Sequence, residues 1–320
     1  MDHLVEVTNL KKYFYQGGGP FKKKDAIKAL DDVSFYIKRN EILGLVGESG
    51  CGKTTCGKLI LRLLNPTAGT ISFDGQDITH LKQRQMINLR KKMMIIYQDP
   101  YGSLDPRMTI GAAIAEPMEV HKLTQSKEEK ESKIIEIMEK VGLTSDQINR
   151  YPHEFSGGQR QRIGIARALA TNPSFIVADE PVSALDVSIQ AQIINLLKDL
   201  QKDFGLTLLF ITHDLSVIKH TSDRIAVMYA GKLVELASKQ DLFTEPLHPY
   251  TRALLSAIPI PDPDRQIPYI PLTGEVPSLI HPPPGCRFHP RCTEAAPGCS
   301  QKEPELLEVK KGHFVSCYPS

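Results

Sequence analysis

The sequence predicts an α/β protein built around a phosphate-binding loop, and three stretches predict it. The first is Gly47-Glu48-Ser49-Gly50-Cys51-Gly52-Lys53-Thr54, which satisfies G-x-x-x-x-G-K-[ST] at every fixed position. The second is Ser174-Phe175-Ile176-Val177-Ala178-Asp179-Glu180, an apolar run that ends in two acids. The third is Leu206–Ile211, largely apolar and followed by Thr212-His213-Asp214. Short apolar runs of this kind read as buried strands.

The loop sits in the right context. Glu41–Val46 reads as a strand entering it, and Thr55–Leu64 as a helix leaving it. Glycines let consecutive backbone N–H groups converge on phosphate oxygens, and the following helix N-terminus adds positive potential. Lys53 is then expected to reach the β- and γ-phosphates, and the Thr54 hydroxyl to bind Mg²⁺. A strand ending in Asp179-Glu180 downstream is expected to set Asp179 beside Thr54 as a second Mg²⁺ ligand. Glu180 is left to orient or activate a water. His213, at another strand end, is expected to contact the γ-phosphate.

Bulk properties narrow the class. The chain has 320 residues, room for one large domain plus an appendage or for two domains. Its net charge of +2 gives no basic field for nucleic acid. No apolar run approaches the ~20 residues that a membrane span needs. Met1-Asp2-His3-Leu4 lacks a basic-then-apolar signal, so the chain is expected to stay in the cytosol, free to dock on a membrane partner.

In chain order, residues 4–10 suggest an edge strand. Tyr13 and Phe14 follow, flat enough to stack on an adenine ring. The stretch from Gly17 to Lys24 reads as a loop. Ala29–Lys38 continues the β-rich start, and Pro66–Thr70 turns into Ile71–Phe73. Met93–Tyr97 is a short strand ending in Gln98, and Tyr101–Arg107 is turn-rich. Lys127–Val141 carries Ile134, Ile135, Met138 and Val141 at helical spacing. Ser156 is a good N-cap for a helix running to Ala170. With Gly157 and Gly158 behind it, that start is either a second anion site or a simply capped helix. Ile189, Ile193, Leu196, Leu197 and Leu200 form one helical face, with Gly205 as C-cap. Arg224–Leu236 reads as a hairpin turning at Gly231, and Tyr250–Ile258 as a short helix. Prolines then mark a linker at about 259–284, and a small module follows over 285–320.

The order of these signals resembles the ATP-binding subunits of ABC transporters. The likeness covers about residues 4–258: phosphate loop, Gln98 after a strand, Ser156-Gly157-Gly158-Gln159, Asp179-Glu180, the turn Ser183-Ala184-Leu185-Asp186, and His213. It implies a RecA-like core with an antiparallel β subdomain and an α-helical subdomain at about 99–170, plus a small Cys/Pro-rich C-terminal module. It implies ATP and Mg²⁺ held by Gly47 to Thr55, with Phe14, or Tyr13 in its place, on the adenine. Gln98 touches Mg²⁺ and water and reports to the membrane subunits. Ser156 to Gln159 cap the ATP of a partner ATPase, Asp186 sits at the dimer contact, Glu180 is the catalytic carboxylate and His213 the switch histidine. Phe155 stands where leucine is commoner.

Gln98-Asp99-Pro100-Tyr101-Gly102-Ser103-Leu104-Asp105-Pro106-Arg107, His248–Pro259 and the proline–cysteine tail further resemble the oligopeptide/dipeptide importers, whose two ATPase subunits differ; this chain looks more like the second. That implies a homologous ATPase partner, or a homodimer in isolation, on the cytoplasmic face of the membrane. It also implies two transmembrane permease subunits and an extracytoplasmic binding protein. Importers of nickel or oligosaccharides look related. A soluble ATPase acting on nucleic acid or ribosomes is a remoter reading, since one cassette with near-neutral charge lacks the features of that class. Cys286, Cys292, Cys299 and Cys317 lie in the last 35 residues. Four thiolates suit a [4Fe–4S] cluster or Zn²⁺, or stay free or form disulfides; their wide gaps are unlike paired zinc spacings. The resemblance favours the cluster.

Overall fold

The computed structural model describes residues 3–17, 25–99, 101–258 and 269–317. Residues 18–24 of the expected loop and 259–268 of the linker expected at about 259–284 lie outside the described residues.

The elements run β1 (His3–Gln16), β2 (Asp25–Lys38), β3 (Ile42–Val46), α1 (Lys53–Ile60), β4 (Ala68–Phe73), β5 (Gln76–Asp77), α2 (Gln83–Arg90), β6 (Met93–Ile96), α3 (Ile110–Val120) and α4 (Lys127–Lys140). They continue through α5 (Gly157–Leu169), β7 (Phe175–Asp179), α6 (Val187–Phe204), β8 (Thr207–Thr212), α7 (Leu215–Thr221), β9 (Arg224–Tyr229), β10 (Lys232–Ser238), α8 (Lys239–Thr244), α9 (Pro249–Ser256), β11 (Leu307–Lys310) and β12 (His313–Val315). They fall into two compact units. One holds Lys38–Ile42 and His80–Ile211; the other holds His3–Ile37, Leu43–Thr79 and the chain from Thr212 onward.

The second of these carries the phosphate loop and two sheets. Its antiparallel sheet has the order β2-β1-β4-β5. The expected edge strand at 4–10 is therefore interior, and it runs on to Gln16 because β2 covers one side and β4 the other. A register shift between Thr8 and Lys11 accommodates the bend. In the other sheet β3 pairs in parallel with β9, and β9 pairs antiparallel with β10. β3 and β9 are buried at every position, which explains the apolar run of β3 and that of β9 after Arg224.

The residues after the linker do not form a separate body. β12 pairs with β10, placing Val315 opposite Glu235, and β11 pairs with β12. Phe288 packs edge-on against Tyr229, with centroids 5.1 Å apart, and beside Tyr250 at 5.4 Å. A core too small to stand alone is thereby completed inside the larger one. Glu235 lies beneath this junction, fully buried. It accepts the backbone N–H groups of Leu247 at 2.8 Å and His248 at 3.0 Å, and the Nε2 proton of His313 at 2.7 Å. His248 in turn caps α9 by accepting the Tyr250 N–H at Nδ1. Burial pushes the His248 pKa down to about 3, so the ring stays neutral and keeps that lone pair.

In the other unit β6, β7 and β8 pair in parallel, and Asp179 ends level with Ile211. α3, α4 and α5 occupy the stretch expected to be helical. Ser126 caps α4 by accepting the Glu129 N–H, and Gly205 ends α6 in the left-handed conformation. One expected helix is shorter: α1 stops at Ile60, not Leu64. Arg62 takes φ 53° and sends its buried guanidinium to the carbonyls of Ile78 and Leu64, which turns the chain aside.

Candidate functional site

In the phosphate-loop unit the loop is a turn that leans on glycine, with positive φ at Gly47, Gly50 and Gly52. Gly47 has φ 152°, and a Cβ there would meet the Met228 carbonyl at 2.1 Å, so no side chain fits. Lys53 is buried and curls back to donate to the carbonyls of Gly47 at 2.7 Å and Glu48 at 3.0 Å. Its charge is thereby held over the loop centre. Ser49 and Gly50 are exposed at the loop crest, while Thr54 and Thr55 occupy the first turn of α1 half-buried. Cys51 is buried, and burial pushes its thiol pKa up despite Lys53 nearby. It therefore stays protonated and fills space.

The aromatic pair splits by function. The Tyr13 hydroxyl donates to Asp31 at 2.5 Å, and burial and Asp31 push the Tyr13 pKa up. Burial alone would raise Asp31, but Tyr13, Lys232, Arg287 and Lys11 hold its carboxyl below the usual range. Phe14 points the other way along the strand and is 36% exposed. In this unit too, His213 is exposed, one residue before the Asp214 cap of α7.

In the other unit, Asp179 is buried at the end of β7. Glu180 follows with φ 48°, a conformation that costs a non-glycine residue of the order of 1 kcal/mol and concentrates at functional sites. Its backbone N–H donates to the Ile211 carbonyl, and its side-chain Oε2 accepts Gln98 Nε2 at 3.1 Å. Two of the expected catalytic residues are thus in contact. Beyond Gln98 the chain turns about Asp99 and Asp105, each accepting a nearby backbone N–H, and Tyr101 stays exposed beneath the Arg160 guanidinium.

Ser156 and Gln159 form a reciprocal capping box on α5. The expected capped helix is present, with Ser156 and Gly157 exposed at its start. Gly158 packs closely under α6: a Cβ there would meet Ile189 Cγ2 at 2.5 Å and push that side chain aside. Asp186 precedes α6, and its side chain makes no capping bond to it.

Cys286, Cys292, Cys299 and Cys317 line one cavity of about 380 Å³. Burial raises the pKa of Cys286, Cys292 and Cys317, and neighbouring cysteines add to it; Cys317 is pushed up to about 11. Yet among the described residues no three His, Cys, Asp or Glu side chains are grouped to hold a metal ion. Four thiolates about one zinc ion must come within roughly 3.8 Å of one another. A four-iron core carries a ligand at each corner and accepts wider separation.

Sequence reasoning missed Arg287 and Arg291. Both are buried, and Arg291 forms a two-pronged ion pair with Glu48 of the phosphate loop. An arginine between two cysteines carries no local mark of a carboxylate far up the chain.

Known proteins agree with this arrangement. The family described as ABC transporter matches residues 30–183, and that described as oligopeptide/dipeptide transporter, C-terminal region, matches 234–299. The oligopeptide transport ATP-binding protein AppF of Bacillus subtilis (strain 168) is 51% identical over 319 residues, covering 98% of this chain and 97% of its own. A dimeric ATP-binding cassette solved in a post-hydrolysis state with ADP and Pi is 30% identical, with a TM-score of 0.66 over 73% of this chain and 98% of that one. The cbiO1 subunit of a Clostridium perfringens transporter, at 24% identity and TM-score 0.65, shares the fold. With a fold, a phosphate loop and near full-length kinship all in agreement, the chain belongs to the ABC transporter family as an ATP-hydrolysing, ATP-binding subunit.

Proposed function

We propose that this chain is a motor subunit of a di-/oligopeptide importer, bound peripherally at the cytoplasmic membrane face. The observation that carries the proposal is the phosphate loop with Lys53 buried above its own carbonyls, a charge already paid for in burial that phosphate can take over. The Oligopeptide/dipeptide C-terminal region at 234–299 supports the peptide cargo. Among the described residues no helix is long and apolar enough to cross a membrane, so the translocation path belongs to partner permeases.

Each residue has one role in this reading. Loop N–H groups from Gly47 to Thr55 and the Lys53 ammonium bind phosphates. The Thr54 hydroxyl, Asp179 and Gln98 would hold Mg²⁺, which would neutralise phosphate charge. Glu180 takes the proton of the attacking water, and His213 binds the γ-phosphate. Phe14 stacks on adenine; the commitment of Tyr13 to Asp31 supports that choice. Ser156 to Gln159 cap ATP held by a homologous ATPase, with Asp186 at the contact. Closure of that pair pulls on two permease subunits through the Gln98–Arg107 turn, and a binding protein delivers cargo. In a strain lacking this chain, uptake of labelled oligopeptides should be lost. Loss of labelled sugar or nickel uptake alone would sink the peptide cargo.

The four cysteines are proposed to hold a [4Fe–4S] cluster, which when bound staples the chain after the linker to the cavity wall. Their shared cavity and donor set support it. Anaerobically purified protein should contain about four irons and four sulfides per chain and a broad visible band. Cys286→Ser should abolish the band and leave a protein of lower thermal stability. Stoichiometric zinc without sulfide would replace the cluster by a zinc ion.

A further inference from the structure

Arg291 lies between Cys286 and Cys292 in sequence, and its guanidinium reaches out of the cysteine segment to the phosphate loop. Nη1 donates to Glu48 Oε2 at 2.7 Å and Nη2 to Glu48 Oε1 at 3.1 Å, the parallel fork that fixes both position and direction. Nη1 also donates to the Tyr229 hydroxyl at 3.3 Å, and Nε to the Thr273 carbonyl at 3.3 Å. The fork is therefore held before it meets the loop.

Glu48 is the residue on which the loop converges. Its carbonyl accepts Lys53 Nζ at 3.0 Å and the Cys51 N–H at 3.3 Å, and its own N–H donates to the Tyr250 hydroxyl at 2.9 Å. Arg287, one residue after Cys286, makes a parallel link: it donates to the Ala230 carbonyl and to Asp31, the acid that holds Tyr13. Two arginines of one segment thus grip the phosphate loop and Asp31 of β2, which in turn holds Tyr13 on the strand that bears Phe14. A loop fixed before its ligand arrives loses less entropy on binding it.

We propose that Arg291 is a positioning residue for nucleotide: through Glu48 it braces the phosphate loop, so that the cysteine segment sets affinity for nucleoside triphosphate. This rests on reading Gly47–Thr54 as the phosphate cradle. The side chains of Arg291 and Glu48 meet each other rather than the phosphates. Removing Arg291 should therefore act on binding and spare the chemical step.

The test is a double-mutant cycle in the full chain, with Arg291→Ala, Glu48→Ala and the pair, read by calorimetry with MgATP and by ATPase kinetics. Each single variant should weaken ATP affinity about tenfold, about 1.4 kcal/mol. In Arg291→Ala, KM should rise likewise while kcat at saturation stays within about twofold. The double variant should be no weaker than the poorer single one, because both changes break one link. Arg291→Lys should recover part of the affinity, since it keeps the charge and loses the fork. If Arg291→Ala does not fold, Glu48→Ala and Glu48→Gln break the same link from the loop side. Wild-type affinity in Glu48→Ala, or effects that multiply in the double variant, overturns the brace. Binding that survives Lys53→Ala overturns the cradle reading and the brace with it.

Discussion

Glu180→Gln should bind MgATP about as tightly as the native chain and hydrolyse it about 10²–10⁴ times more slowly, the usual loss for a removed general base. The substitution is nearly isosteric. A glutamine Oε1 can still accept Gln98 Nε2, the bond now made to Glu180 Oε2 at 3.1 Å. The backbone at φ 48° is kept, with its N–H on the Ile211 carbonyl. The folded state therefore loses little, and thermal unfolding should be unchanged within about 0.5 kcal/mol. What is lost is the ability to accept a proton from water, because an amide is not a base near neutral pH. Binding without turnover should also hold two chains closed on ATP, seen as a nucleotide-dependent dimer by size-exclusion chromatography. Normal turnover in Glu180→Gln would remove Glu180 from the chemistry and leave the strained turn as a purely architectural feature.

Glu235→Ala should cost about 3–5 kcal/mol of stability, the range for breaking a buried ionic or hydrogen-bonded set from one side. The carboxylate is fully buried and satisfies three donors from two parts of the chain: the Leu247 N–H, the His248 N–H and His313 Nε2. Alanine leaves two backbone N–H groups and one imidazole N–H facing a void. Each orphaned donor costs about 1–3 kcal/mol before relaxation or water entry recovers part of it. Glu235→Gln should cost less. Its carbonyl can serve one or two donors, while its NH₂ meets the remaining N–H as a repulsive pair. Urea unfolding followed by fluorescence measures both. A midpoint unchanged in Glu235→Ala would mean that β10, β12 and the start of α9 are held by their apolar contacts alone.

Where chemistry is local, it was legible in the sequence. The phosphate loop needs glycine at Gly47 because a carbonyl occupies the space of a side chain, and that demand is written in the residue itself. Ser156 with Gln159 and Gly205 are caps whose partners lie within a turn. The strand ending in Asp179-Glu180 was visible because a strand buried on both faces has no polar alternation to hide it. What stayed hidden depends on remote partners. Arg62 ends α1 by bonding the Ile78 carbonyl, and residues 4–10 lost their edge when β2 and β4 closed on both sides. The left-handed turn at Glu180 could not be read from a glutamate, which ordinarily avoids it. The C-terminal stretch looked like an appendage by composition, because nothing near His313 announces Glu235.

The Glu48–Arg291 pair joins residues 243 positions apart, and this separation has a meaning during synthesis. At about 5–20 residues per second, the ribosome makes Arg291 roughly 12–50 s after Glu48. Throughout that interval the nascent loop exists without its clamp, and β10 waits for β12. A chain released early would carry every nucleotide motif and still lack the contacts that tie them down. Quality control by proteases would therefore meet unfinished copies in their most open form.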